Sequence, residues 1–437
     1  MNSRQATNNC FKKNPTRSFW RLGYLGVLLI GLCAVPVQAA DVWLDFISGT
    51  GSDWVEQLNE ATASAGVSDF SETERSTIES NILTIMETVY SDFLVDFSLA
   101  DPGGTRERIN MGATTSGSSY GSAPLDFLNE KTGTQKIYAA NFDNFLETTD
   151  SRSSQIAEIS TSLAGTAAHE LGHSLGLRHH NAYGTPGITP ANYSNTGGLQ
   201  NVYIMATGNT GLNETERETP RTFSPWSRLG MEAASDIPLV ASPLPQISED
   251  PGDAGEDPAT AQLLTLTSRP LSGFNAALVV GGEIEEIAAH NLYDVDVYSF
   301  TGSVGDLLSA ELWSDDQYSD DFDGQLTLIG PDGLTVLSTS DDTLYSGDKF
   351  GTGSKREDDS FLLNVPLVES GLHYLKVETV GADPENSNGD AFGSYDLLIG
   401  VWPVPEPSTA ILVLGGLVSL FGVGRFRIGG RFYSPQA

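Results

Sequence analysis

Four of the six histidines of this 437-residue chain lie in the segment HELGHSLGLRHH, residues 169–180. Positions four apart share one face of a helix, so His169 and His173 can present ring nitrogens to a single ion. Gly176 permits a left-handed turn that ends the helix and brings His179 to the same point from another side. Three neutral imidazoles with one open coordination position are typical of a catalytic zinc site. The alternative is a solvated helix end with an accidental cluster.

Glu170, the neighbour of the first histidine, is the candidate catalytic residue. Zinc lowers the pKa of its bound water to about 7, and a carboxylate beside it can take that proton and pass it to a leaving amine. An apolar stripe on the opposite face predicts that the helix is buried against its domain; it comprises Leu163, Ala167, Leu171 and Leu175. His180 lies outside the spacing, and we expect it to be solvated or to support the ligands from behind.

The pattern His-Glu-x-x-His-x-x-Gly-x-x-His resembles the metzincin zinc metallopeptidases, over about residues 41–235. That family has a methionine-containing turn beneath its ligands, and VYIMATG places Met205 there as an apolar floor. The resemblance implies one catalytic Zn²⁺, endopeptidase activity on proteins or peptides, and substrate bound as an added strand at a sheet edge. The segment QKIYAANF (135–142) would supply this edge, with backbone contacts from Tyr138, Ala139, Ala140 and Asn141.

Two folded regions are predicted. Residues 40–235 alternate strand and helix patterns, which indicates an α/β (α+β) domain. The resemblance implies that this is a metzincin-like catalytic domain that carries the active-site helix. A stretch rich in Pro, Asp and Glu, residues 236–262, is typical of a linker. Short alternating strands between Gly and Asp turns predict an all-β sandwich over 263–402. Its motifs DVDVYSF, GPDG and GSYDLLIGV together resemble the bacterial pre-peptidase C-terminal domain.

Both ends of the chain have the pattern of export signals. Residues 1–39 combine basic residues, an apolar run and a small-residue exit, as a secretory signal peptide does. Residues 403–431 contain VPEPST, an apolar run too short for an ordinary membrane span, and three arginines. This tail resembles the PEP-CTERM sorting signal of Gram-negative bacteria, which implies a transient membrane anchor and an envelope processing enzyme that recognises it. We expect an exported protein of the cell envelope, the extracellular matrix or the medium.

The net charge of −34 argues against nucleic acid as a partner. Both cysteines, Cys10 and Cys33, precede the predicted cleavage site, so no disulfide would stabilise the exported protein. Carboxylate-rich turns predict structural Ca²⁺ in the β region; they contain Asp315, Asp316, Asp320, Asp321, Asp323, Asp341, Asp342 and Asp348. The alternative is that these aspartates are simply solvated.

The leading hypothesis is therefore an exported zinc endopeptidase with Glu170 as general base. An alternative is a non-catalytic envelope or matrix protein with a vestigial zinc site, which an intact Glu170 disfavours because zinc binding alone does not require that residue. A zinc hydrolase acting on non-peptide bonds is a third possibility. Cleavage specificity and subfamily stay open.

Overall fold

The computed structural model describes residues 39–47, 53–115, 117–125, 132–183, 202–206, 218–234, 238–249, 254–284, 286–287, 292–314, 324–341, 360–379 and 393–404. Residues 1–38 of the predicted signal peptide and the tail beyond 404 lie outside these ranges. Of the aspartates expected to bind calcium, Asp341 lies within these ranges and the other seven lie outside them. The predictions made for those segments stay predictions.

A five-stranded sheet forms the centre of the N-terminal half. Its strands are β1 (Ala40–Asp45), β2 (Val95–Ser98), β3 (Glu107–Asn110), β4 (Gly121–Ser122) and β5 (Thr134–Ile137), in the order β2-β1-β3-β5-β4. All neighbours are parallel except β4 and β5, which are antiparallel. The short antiparallel β4 therefore lies at one edge of an otherwise parallel sheet.

Four helices accompany the described strands: α1 (Trp54–Ala65), α2 (Glu72–Val89), α3 (Arg152–Ser174) and α4 (Pro225–Ala233). α2 begins at a capping box in which Ser71 and Glu74 bond reciprocally. It packs against α3 through a shared apolar core, and just beyond it the Tyr90 hydroxyl donates to the carbonyl oxygen of Ala168 at 2.9 Å. The histidine-bearing helix is thereby held from behind, and its C-terminal part is buried on all sides.

The strand predicted over residues 135–142 is shorter than expected. β5 ends at Ile137, and a 3₁₀ helix (Ala139–Phe145) follows. Phe142 and Phe145 turn into the core and pack against Tyr120, with ring centroids 4.8 and 5.7 Å apart. Burial of these rings overrides the extended pattern. The edge of the sheet is β4, not the segment that contains Tyr138–Asn141.

The C-terminal half contains two larger sheets and a small hairpin, β10 (Glu286–Ile287) with β11 (Leu292–Tyr293). The strands of the two larger sheets are β6 (Gln246–Ser248), β7 (Gln262–Leu263), β8 (Thr267–Ser268), β9 (Asn275–Ile284), β12 (Asp296–Gly302), β13 (Leu307–Ser314), β14 (Gly324–Ile329), β15 (Val336–Ser340), β16 (Phe361–Pro366), β17 (Gly371–Thr379) and β18 (Gly393–Trp402). One sheet has five strands in the order β15-β14-β17-β12-β7, and the other has six in the order β16-β13-β18-β9-β6. β8 pairs with β9 outside this order. Apolar side chains of both sheets share one buried core, which gives this half its β-sandwich character.

The segment predicted as a linker, residues 236–262, is partly incorporated into these sheets. β6 pairs in parallel with β9, and β7 pairs in parallel with β12. Ala254 between them is buried in the sandwich core. The Pro- and acid-rich composition of residues 236–262 did not predict these two short strands, because their pairing depends on partners distant in the sequence.

α4 packs on the six-stranded sheet and joins the two halves. Trp226 and Leu229 are fully buried in an apolar cluster with Phe274, Leu278 and Leu398. A methyl group at Gly400 of β18 would lie 2.7 Å from the Trp226 ring, so only glycine allows this close approach.

Candidate metal centre

Three histidines converge at the C-terminal end of α3. His169 and His173 lie four residues apart on the helix, and His179 begins the 3₁₀ helix His179–Tyr183. The Nε2 atoms of His169 and His173 are 3.1 Å apart, and each is 3.2 Å from Nε2 of His179. Within the described part of the chain, this trio is the group of residues that could hold a metal ion.

Backbone carbonyls determine which nitrogen of each helical imidazole carries its proton. Nδ1 of His169 lies 2.7 Å from the carbonyl oxygen of Ile204, and Nδ1 of His173 lies 2.8 Å from that of Leu177. A carbonyl oxygen only accepts hydrogen bonds, so each Nδ1 is the donor and each Nε2 of a neutral ring holds a lone pair. Burial, followed by the two neighbouring histidines, lowers the pKa of His169 well below its ordinary value. The ring is therefore neutral and ready to act as a ligand.

The spacing of these lone pairs fits a cation. Two unprotonated Nε2 atoms 3.1 Å apart cannot hydrogen-bond to each other, so their approach is unfavourable without a positive charge between them. Ligands about 2.0–2.1 Å from a tetrahedral zinc ion lie roughly 3.3–3.4 Å from each other. The separations of 3.1–3.2 Å are close to that value. An all-nitrogen ligand set of this kind suits zinc, copper, iron and nickel ions.

A turn centred on Gly176 brings the third histidine into place. α3 ends at Ser174, and Gly176 has a φ of 95°, in the left-handed region that favours glycine. The backbone N–H of Leu177 then donates to the carbonyl oxygen of Gly172 at 2.9 Å. This reversal also directs the Leu177 carbonyl oxygen to His173, so one turn both ends the helix and orients a candidate ligand.

Met205 lies directly against the histidine helix. It is fully buried, and its Sδ atom occupies the space beside Gly172, where a methyl group would come within 2.5 Å of the sulfur. The preceding residue, Ile204, supplies the carbonyl oxygen that orients His169. The short segment around Met205 thus supports the trio through packing and through one backbone hydrogen bond.

Glu170 is buried beside the edge of the sheet. A methyl group built on Gly121 of β4 would lie 2.5 Å from Oε1 of Glu170. Glu170 is 7% exposed as a residue, although it lies one position from His169 at the end of a long helix. The lack of a side chain at Gly121 therefore leaves the space that this carboxylate occupies.

Part of the backbone expected to contact substrate is already hydrogen-bonded within the protein. The N–H of Tyr138 donates to the carbonyl oxygen of Tyr120, and the carbonyl oxygen of Tyr138 accepts from Asn141, both at 2.9 Å. The amide of Asn141 holds the loop before β4 by donating to the carbonyl oxygens of Gly117 and Ser119. Ala139 is fully buried. These residues support the edge strand and do not form it.

Glu311 was not predicted from the sequence as part of this region. Its carboxylate contacts His180, the residue after the third histidine, with 2.6 Å between Nε2 and Oε1. The two residues are 131 positions apart, and nothing in the local pattern around Glu311 marks it. His180 is therefore buried and paired instead of solvated.

No known protein family matches the chain, and no curated protein matches it either. Several solved structures resemble part of it weakly. The pre-peptidase C-terminal domain of a collagenase from Bacillus anthracis is 11% identical, with 36% of this chain and 96% of that chain covered and a TM-score of 0.19. PliG of Aeromonas hydrophila, a periplasmic inhibitor of g-type lysozyme, is 11% identical, with 32% of this chain and 97% of that chain covered and a TM-score of 0.20. PliG of Salmonella Typhimurium is 18% identical, with 32% of this chain and 98% of that chain covered and a TM-score of 0.18. Similarities at this level do not define a function for this chain.

None of the helices in the described ranges combines the length and apolar character that a bilayer span requires.

Proposed function

We propose that this protein is a zinc-dependent endopeptidase of the metzincin type. The observation that carries the proposal is the set of three Nε2 atoms within 3.2 Å of one another, two of them on rings whose Nδ1 atoms face carbonyl oxygens. Such an array binds a divalent cation and leaves further coordination positions for reactants. The adjacent carboxylate of Glu170 supports a catalytic role over a purely structural one.

His169, His173 and His179 would hold the zinc ion. Zinc bound in such a site lowers the pKa of water and polarises a carbonyl group. Glu170 acts as the general base that accepts the proton of the attacking water, and it then donates that proton to the leaving amine. Its buried position beside β4 keeps the carboxylate close to the helix end, because both the sheet and α3 restrict its movement.

The edge strand β4 supports a peptide as the substrate. β4 ends the sheet, and within the described residues no further strand pairs with its outer side. An extended peptide that adds to such an edge gains backbone hydrogen bonds independent of its side chains. The Glu170 carboxylate occupies the space where a side chain at Gly121 of β4 would lie, so a peptide lying along β4 passes the general base.

The test is Glu170→Gln with two measurements on the same preparation. Zinc content should stay at one ion per chain, while hydrolysis of casein should fall by at least about a hundredfold, since general acid–base catalysis contributes about 10²–10⁴-fold. Glu158→Gln is the matched control, because it makes the same change on the same helix, away from the histidines. Full activity in Glu170→Gln would remove this residue from the mechanism, and wild-type protein that binds zinc without hydrolysing peptides would favour the non-catalytic alternative.

The remaining parts of the proposal rest on sequence patterns. They are the signal peptide, the sorting tail with its envelope processing enzyme, the pre-peptidase C-terminal character of the sandwich and its calcium. Intact-mass measurement on protein from the native host tests the two ends. An N-terminus near Ala40 and loss of the segment after the VPEPST motif would support export and sorting.

A further inference from the structure

Glu311 lies on β13 of the six-stranded sheet and is 1% exposed. Its carboxylate accepts three hydrogen bonds from the N-terminal half of the chain. The donors are His180 Nε2 at 2.6 Å to Oε1, and Asn181 Nδ2 and Trp226 Nε1, each at 2.8 Å to Oε2. A carboxylate is buried at this depth only when donors replace its water, so the three bonds define one specific arrangement.

The same strand also contacts the residue on the other side of the third histidine. The guanidinium of Arg178 lies 4.0 Å from the ring centroid of Trp313, a cation–π contact with β13. His179 is thus flanked by Arg178 and His180, and both neighbours contact β13. Phe361 of β16 adds a ring contact to His180, with centroids 4.8 Å apart.

The turn that carries His179 has a rigid connection to these contacts. Asn181 accepts from the backbone N–H of Arg178 through its side-chain oxygen, and its own carbonyl oxygen accepts from the hydroxyl of Ser224. The side-chain amide of the same residue donates to Glu311. His169 and His173 are placed by their helix, whereas His179 depends on this turn.

We infer that Glu311 is a positioning residue for the third zinc ligand, so that the β-sandwich half completes the metal site. The inference rests on the proposed zinc function and extends it to a strand outside the histidine motif. Partners behind the ligands of a metal typically change its affinity by about 10–100-fold when removed. Loss of Glu311 leaves His180, Asn181 and Trp226 without their common acceptor, and the 178–181 turn is then free to shift His179.

Zinc affinity of the full chain, measured by competition with a chromophoric chelator, tests this. Glu311→Gln should raise the zinc Kd about tenfold, because an amide keeps the shape but turns one N–H toward a donor. Glu311→Ala should raise it toward a hundredfold. The absorption of bound cobalt(II), which reports ligand number and symmetry, should change in both variants.

Glu232→Gln is the matched control. Glu232 is also a buried carboxylate at this interface, with Arg269 3.3 Å away, but it lies at the end of α4. This variant should lower the melting temperature and leave the zinc Kd and the cobalt spectrum unchanged. An equal loss of zinc affinity in Glu232→Gln would show a general effect of instability and overturn the assignment.

A double-mutant cycle shows whether Glu311 acts through His179. In the His179→Ala background, adding Glu311→Gln should leave the already weakened zinc Kd unchanged, since the ligand to be positioned is gone. Additive losses would contradict the inference. Wild-type protein that binds zinc tightly, with Glu311 variants of equal affinity, would overturn it and leave the proposed function standing. Wild-type protein without zinc affinity would instead refute both.

Discussion

The carbonyl oxygens of Ile204 and Leu177 decide how two of the histidines are used. Each accepts the Nδ1 proton of one ring and so leaves Nε2 as the atom that could bind a metal ion. Neither Ile204 nor Leu177 is one of the residues that define the histidine motif. The orientation of these two rings therefore depends on backbone groups that any residue could supply, provided that the turn geometry holds.

Gly121→Ala should reduce peptide hydrolysis more than tenfold and leave zinc bound. The added methyl group would lie 2.5 Å from Oε1 of Glu170, so the carboxylate must move while the histidines stay in place. Casein hydrolysis and zinc content of the purified variant measure the two effects.

Gly117→Ala in the preceding loop is the control, because its methyl group would lie at an ordinary 3.6 Å from Thr115 Oγ1. Unchanged activity in Gly121→Ala would mean that the position of the Glu170 carboxylate beside β4 does not matter for the reaction.

The start of α2 is joined to the start of the histidine helix by one carboxylate. Glu74 accepts from the backbone N–H of Ser71 at 2.7 Å and from Nε of Arg152, at the first position of α3, at 2.8 Å. Arg152 also lies over the Phe70 ring, 3.8 Å from its centroid. This connection joins the starts of two helices that share one apolar core, and the second of them carries His169 and His173.

The Arg152 side chain, followed by Ser71, lowers the pKa of Glu74 from its ordinary 4.5 to about 2. A depressed folded-state pKa contributes stability that is complete above the unfolded value and is lost as pH falls. Glu74→Gln should therefore be less stable than wild type by about 1 kcal/mol at pH 7, the usual range for a cap and an exposed ion pair.

The difference in stability should shrink between pH 4.5 and about 2, where Glu74 of the wild type becomes protonated and loses its charge. Urea unfolding from pH 7 downward measures it, with Glu72→Gln as the control on the same first turn. A difference that stays constant with pH would contradict the role of the charge.

α4 and the outer face of the six-stranded sheet share buried apolar residues. Leu229 is fully buried there against Gly400 of β18. The hydrogen bonds of Glu311 run alongside this cluster. Because one interface carries both apolar burial and the connection to the third histidine, we expect the two halves to unfold together.

Leu229→Ala should lower the free energy of unfolding by about 2–5 kcal/mol, as is usual for a large buried side chain replaced by alanine. Calorimetry should show one transition that moves as a whole. Leu334→Ala is the control, since that side chain is 85% exposed and its removal should change stability by less than about 0.5 kcal/mol. Two transitions, of which only one shifts, would show that the halves unfold separately.

The sequence alone determined the features that depend on neighbours within one helix or turn. The i, i+4 spacing placed His169 and His173 together, Gly176 supplied the left-handed turn, and the capping box started α2 at Ser71. Each follows from local backbone geometry, which is the same wherever the pattern occurs.

Tertiary structure decided the features that depend on packing between distant segments. The sequence of residues 135–142 predicts a strand, but burial of Phe142 and Phe145 favours a 3₁₀ helix after Ile137. The strand at the edge of the sheet is therefore Gly121–Ser122. Glu311 reached His180 across 131 positions because β13 of the sandwich lies against the turn that follows α3. Such contacts cannot be predicted from neighbouring residues in the sequence, because the surfaces whose burial stabilises them meet only when the whole chain has folded.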